Sequence, residues 1–278
     1  MPKPDDIADA EFLEVCARQA AWVKQNFIPN LRGGLVLLGL GDSLVAQHEE
    51  KIHARVSRML GRVRASGVES EDYGRLEENG EAVALDRKRL FEAAGRNKID
   101  LGMGIRDELA HQAIHALQPP WAADEYKLPL SLHEGGAEAL SNLVLRSTCG
   151  KITHAEHLVF LALVFSAPAS LGSVLKKDLM AYNLTGFMHS AEKPGEKKEI
   201  DDIVLRYSSV ESRLGAAGAM AAKKMLASNY IGPEGLQFLA EVTYAKGIDD
   251  ITKRENARAN VLAMLDAKLA KPGMIAGR

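Results

Sequence analysis

Apolar residues recur three and four positions apart along most of this chain, and proline or glycine closes nearly every run. Phe12, Val15, Cys16 and Val23 mark one such face before Pro29. Residues at this spacing form one stripe of an α-helix, and that stripe must be buried against another element. Aromatic residues make up only 5% of the 278, whereas β-rich proteins lean on aromatic and β-branched side chains. The expected fold is therefore an all-α, multi-helix globular bundle of about eight to ten helices with few or no strands.

The breaks set the expected boundaries. Pro29 ends the first helix, because a proline inside a helix removes a hydrogen bond and clashes with the preceding turn. An apolar run, Leu35 to Leu40, leads to Gly41-Asp42-Ser43-Leu44, where Asp42 or Ser43 caps a charged helix reaching to about Arg64. Residues 66–80 hold Gly67, Gly74 and Gly80 among many acids and read as a solvated connection before a helix over 81–94. Leu101-Gly102-Met103-Gly104 reads as a glycine-broken turn into a helix from Ile105 to Leu117, stopped by Pro119-Pro120. The division expected is an N-terminal helical region over 1–118, a proline-containing linker or long loop over 119–135, and a C-terminal helical region over 136–278, the whole compatible with one continuous domain. In the C-terminal region, helices are expected over 136–147, 153–166, 170–181, 199–225, 233–246 and 249–270, with a polar, mobile loop over 183–198.

Charge and cysteine usage exclude several classes. The 35 basic and 37 acidic residues leave a net charge of −2, without the global basic field of a dedicated nucleic-acid binder. Local lysine clusters such as Lys176-Lys177 and Lys223-Lys224 keep a nucleic-acid-associated role as an alternative, although acids lie beside several of them. Cys16 and Cys149 are far apart and form no CxxC, so neither a disulfide framework nor a zinc ribbon is indicated and a cytoplasmic location is expected. No stretch reaches the roughly 20 apolar residues needed to span a bilayer, and Met1 to Asp6 lack the build of a signal peptide.

Three sets of residues carry candidate chemistry. Gly41-Asp42-Ser43-Leu44 resembles the nucleophile block of the GDSL esterase and lipase family, which implies a serine just after the first strand and a histidine base near the C-terminus. This chain departs from that pattern, with no Gly-x-Asn-Asp block and no histidine beyond His189. The plainer reading is a helix-capping turn.

The second set is a pair of Glu-x-x-His strings, Glu50-Lys51-Ile52-His53 and Glu108-Leu109-Ala110-His111. Residues three apart share a helix face, so each string can present a carboxylate and an imidazole to one ion, a device that resembles ferritin-like di-iron bundles. Such bundles also need a glutamate from each of two other helices, for which Glu14 and Glu92 are the convenient candidates. His115, one turn beyond His111, adds a second imidazole, and His154 with His157 and Glu156 offers a similar group. The candidate metal ligands are thus Glu50, His53, Glu108, His111 and His115, with the cofactor left open. Against this stands the ordinary reading of charged strings as solvated helix faces.

The third set concerns partners. Leu214 to Ala222 is rich in small residues, and Gly215, Gly218 and Ala219 would let another helix approach closely. Lys197 and Lys198 stand in the expected polar loop. These features suit a non-enzymatic helical interaction subunit or adaptor of a larger intracellular assembly, bound to a protein partner or to itself. A metal-dependent helical enzyme is the alternative.

Overall fold

The computed structural model describes residues 9–37, 40–66, 73–97, 100–121, 129–145 and 169–209. The helices expected over 153–166, 233–246 and 249–270 lie outside the described residues, as do His154, His157, Gly215, Gly218 and Ala219. Seven helices lie among the described residues: α1 (Asp9–Leu37), α2 (Ser43–Leu60), α3 (Arg87–Asn97), α4 (Leu101–His115), α5 (Leu130–Leu145), α6 (Ala169–Thr185) and α7 (194–209). The count of eight to ten is not reached among them, and three strands accompany them: β1 (Val63–Ser66), β2 (Gly74–Glu77) and β3 (Ala82–Asp86).

α1, α4 and α5 pack on one another, and α2 and α6 close around them. α1 runs through Pro29 instead of stopping there. A proline within a helix costs about 3 kcal/mol, but Phe27, Ile28, Leu31 and Leu35 are all buried around it. Burying each such side chain contributes roughly 1.5–3 kcal/mol, so packing outweighs the local penalty. Gly34 permits a close approach of α1 to α5, since a Cβ there would stand 2.8 Å from the Leu143 Cβ. One turn earlier, Asn30 donates its side-chain amide to the Val144 carbonyl at 2.7 Å.

The sheet corrects the reading of residues 61–94. Its order is β1-β3-β2, with β1 parallel and β2 antiparallel to β3. α2 ends at Leu60, short of Arg64, and the expected helix over 81–94 is β3 followed by α3. Every residue of β3 is buried, and a short apolar run reads alike as buried strand or buried helix until tertiary contacts decide. Residues 66–80, expected as a solvated connection, contain β2 and the left-handed turn Glu78-Asn79-Gly80 (φ 52, 57 and 80°). The buried Arg55 guanidinium clamps that turn, donating to the Asn79 carbonyl and, at 3.1 Å, to the Ala116 carbonyl at the end of α4. It thereby satisfies a carbonyl that the helix terminus leaves without an intrahelical partner.

Two further boundaries move toward the centre of the molecule. α4 takes in Gly102 and Gly104, and Asp100 caps it by accepting from the Met103 amide at 3.3 Å. α5 starts at Leu130, where Pro129 supplies its carbonyl to the amides of Leu132 and His133. Residues 130–135 of the expected connection are therefore helical. The polar loop expected over 183–198 begins inside α6, with Asn183 and Thr185 buried, continues through a short 3-10 turn over Gly186–Met188, and ends inside α7, whose first two turns hold Lys197 and Lys198. Side chains from Phe12 to Tyr207 join one hydrophobic core. No helix among the described residues is long and apolar enough to cross a membrane.

Candidate metal centre

Near its C-terminal end α4 projects His111 and His115, one turn apart, toward the N-terminal half of α5, which carries His133, Glu134 and Glu138. His111 Nε2 lies 2.9 Å from His115 Nε2, and Glu134 Oε2 lies 3.4 and 3.3 Å from the same two nitrogens. An ion with ligand bonds of about 2.1 Å holds its donors about 3.0 Å apart at a right angle and about 3.4 Å apart at the tetrahedral angle. The three atoms form a triangle of that size. Side-chain exposures of 13%, 10% and 31% for His111, His115 and Glu134 leave one edge open to solvent on the carboxylate side.

A chain of hydrogen bonds determines which nitrogen of His115 faces inward. Asn183 on α6 donates to the Leu179 carbonyl at 2.9 Å, so its Oδ1 is the atom that accepts from Gln118 Nε2 at 2.7 Å. Gln118 Nε2 also donates to the His133 carbonyl at 2.8 Å. With both donors of the Gln118 amide directed there, its Oε1 accepts from His115 Nδ1 at 2.7 Å. His115 Nδ1 therefore carries hydrogen, and Nε2 is the nitrogen that faces the centre. Two glycines admit this arrangement, since a Cβ on Gly136 would meet Asn183 at 2.6 Å and one on Gly186 would meet the Pro119 ring at 2.4 Å.

His111 is the cationic member of the group. Burial pulls its pKa down, but the hydrogen bond to Glu134 and the charges of Glu108, Glu138 and Glu134 outweigh that and raise it from 6.5 to about 9. Its Nδ1 faces Glu138 Oε2 at 3.5 Å, and its Nε2 faces His115 Nε2 and Glu134 Oε2. Burial raises the Glu134 pKa, yet the two imidazoles hold that carboxyl well below the usual carboxylate range. The outer nitrogen of His115 is hydrogen-bonded to Gln118 and that of His111 faces the Glu138 carboxylate at 3.5 Å, polar groups of the kind that orient metal-bound imidazoles.

His133 completes the neighbourhood. Its ring lies 4.7 Å from that of His115, its Nδ1 is 3.1 Å from the Tyr182 hydroxyl, and its Nε2 is 3.9 Å from Glu134 Oε1. Burial beside the other two imidazoles lowers its pKa to about 3, so the ring is neutral. Tyr182 is wholly buried, and burial and then the Glu134 charge push its hydroxyl above the ordinary phenol range.

Among the residues singled out in the sequence, His111 and His115 meet, and Glu108 stands one turn behind His111 with Oε1 accepting from Gln112 at 2.9 Å. Glu50 and His53 are exposed on α2 and take no part in the cluster. Glu14 pairs with Arg18 on the surface of α1, and Glu92 is exposed on α3. Lys197 lies over the Trp121 ring at 5.2 Å, and Lys198 is exposed. In the GDSL-like string, Asp42 accepts from Arg32 at 2.7 Å instead of capping α2, and Ser43 is an exposed first helical residue. Glu134, His133, Glu138, Gln118 and Tyr182 were not singled out from sequence. Pro129 was the available signal, because proline at a helix start would have put His133, Glu134 and Glu138 in the first three turns of one helix.

No protein-family model, curated protein or solved structure matches this chain.

Proposed function

We propose that this protein is a metal-dependent enzyme that holds one first-row divalent ion through His111 Nε2, His115 Nε2 and Glu134. The observation that carries this reading is the triangle of donor atoms with edges of 2.9, 3.3 and 3.4 Å, each imidazole buttressed at its outer nitrogen. Two imidazoles and a carboxylate suit zinc, and the same set with open positions suits iron(II). Three protein ligands leave room for water or substrate, as catalytic sites do and structural zinc sites do not. In such a site the ion polarises a bound oxygen or lowers the pKa of bound water.

The test is elemental mass spectrometry of the full, untagged chain purified without chelators. One equivalent of zinc, iron or manganese is expected, lost in His111→Ala and in Glu134→Gln. A folded protein that carries no such ion and takes none up on dialysis overturns the reading.

A further inference from the structure

Two carboxylates beside the three-ligand cluster are more than its ligand count requires. Glu138 Oε2 lies 3.5 Å from the outer nitrogen of His111, and its side chain is 12% exposed. Glu108 stands one helical turn before His111 on α4, half-buried, and its charge acts on the same imidazole. His115, by contrast, is backed at its outer nitrogen by the neutral amide of Gln118 at 2.7 Å.

Charge is costly in a largely enclosed place unless an opposite charge balances it. Glu134, Glu138 and Glu108 together place three negative charges around His111. A divalent ion at the two imidazoles leaves one of those charges unbalanced, whereas a trivalent ion balances all three. A carboxylate behind a metal-bound imidazole also makes that imidazole a stronger donor. Hydrogen bonding and burial around the ligands are among the means by which a protein sets the potential of bound iron. Zinc has no redox chemistry for such surroundings to adjust.

Resting on the metal reading above, we infer that Glu108 and Glu138 bias the bound ion toward three positive charges, so that the centre is an iron site exchanging one electron and not a zinc site. Iron(II) gives up one electron to an external one-electron acceptor and becomes iron(III). Glu108 and Glu138 are positioning residues that act through His111 and take no ligand place themselves. With an ion bonded to His111 Nε2 at about 2.1 Å, the Glu138 carboxylate stands about 7 Å from it. One unit charge at that distance and an effective dielectric of about 20 changes the preference between the two ion charges roughly 50-fold. For a single electron this is a shift of about 100 mV.

The experiment loads the full, metal-free chain with iron(II) alone, without oxygen, and reads the midpoint potential by a mediator titration followed in the visible and by electron paramagnetic resonance of iron(III). Glu138→Gln and Glu108→Gln should each raise the midpoint, Glu138→Gln by about 100 mV, the roughly 50-fold loss of preference for the trivalent ion. Glu108→Gln, at a half-buried position, gives the reading by itself if Glu138→Gln does not fold. Gln118→Leu is the comparison: it should weaken the binding of both ion charges alike and leave the midpoint where it is, as a merely structural role would. A midpoint unmoved or lowered in the glutamate variants, or a parent that takes up zinc and refuses iron, would overturn the role of the two carboxylates and leave the three-ligand site standing. A parent that binds neither iron nor zinc would overturn both.

Discussion

Two strings in this molecule share the spacing Glu-x-x-His and end in opposite places. Glu50 and His53 lie exposed on α2, whereas Glu108 and His111 lie on α4 among buried neighbours. The spacing does the same thing in both, putting carboxylate and imidazole on one helix face. What differs is the residue between them: the core-facing positions of α2 are Ile52, Val56 and Met59, rotated away from His53, and its string holds Lys51 where α4 has Leu109. α4 is enclosed by α1, α5 and β2, and Ile105, Leu109, Ala110, Gln112, Ala113 and Ile114 are all buried. The same spacing brings an imidazole to other donors only on a face that another element covers.

The largest test of this contrast is metal affinity. Glu134→Gln should reduce it by more than the roughly 10–100-fold typical of an outer-shell change, while a Glu50→Ala, His53→Ala double variant should bind as the parent does in isothermal titration. Equal losses in the two variants would place the ion elsewhere. Next in size is stability at the matched interior position of each string. Leu109→Ala should cost about 2–5 kcal/mol through the cavity it leaves, and Lys51→Ala less than about 0.5 kcal/mol, both read from denaturant unfolding of metal-free protein. Comparable costs would mean that α4 is no more enclosed than α2.

A smaller effect is expected from the hydrogen-bond chain that α2 lacks. Gln118→Leu removes the acceptor for His115 Nδ1 and should weaken metal binding about 10–100-fold while leaving the site formed. Gln118→Glu, which keeps an acceptor there, should recover part of that loss. If both variants bind as tightly as the parent, the tautomer of His115 is not set by Gln118.

A further test is a pH dependence of the metal-free fold. The His111 pKa is raised from 6.5 to about 9 by its carboxylate neighbours against the opposing effect of burial. A group raised in the folded state binds its proton more tightly there than in the unfolded chain. Its stabilisation is complete below pH 6.5 and is lost as pH rises through about 9. The difference in unfolding midpoint between the parent and His111→Gln should therefore narrow between about pH 6 and about pH 10. A gap constant over that range would show that the imidazolium is not the stabilising form.

Local pattern carried a good part of the fold. The stripe of Phe12, Cys16 and Val23 predicts α1, and all three are buried as a helical period requires. The same reasoning located α2, most of α4 and the body of α6. It missed wherever a short run could be stabilised in more than one way. Ala82-Val83-Ala84-Leu85 has no period long enough to separate strand from helix, and β3 exists because β1 and β2 pair with its two edges. Pro29 reads as a stop only while the burial of Ile28 and Leu31 is out of view.

The candidate site divides along the same line. His111 and His115 are visible as an i, i+4 pair because both belong to one helix, and helix geometry alone brings them together. Glu134 stands 19 residues past His115 and follows Pro129 in a stretch that reads as loop chemistry. Only the packing of α5 on α4 sets its carboxylate 3.3 and 3.4 Å from the two imidazoles. Asn183, from a third helix, reaches the same site through Gln118, at a close approach that Gly136 permits. Local sequence thus specifies which groups share a helix face, because the helical period is a property of the backbone. Which faces meet is decided by long-range packing, where burial of apolar side chains outweighs local preference and carries the polar groups with it.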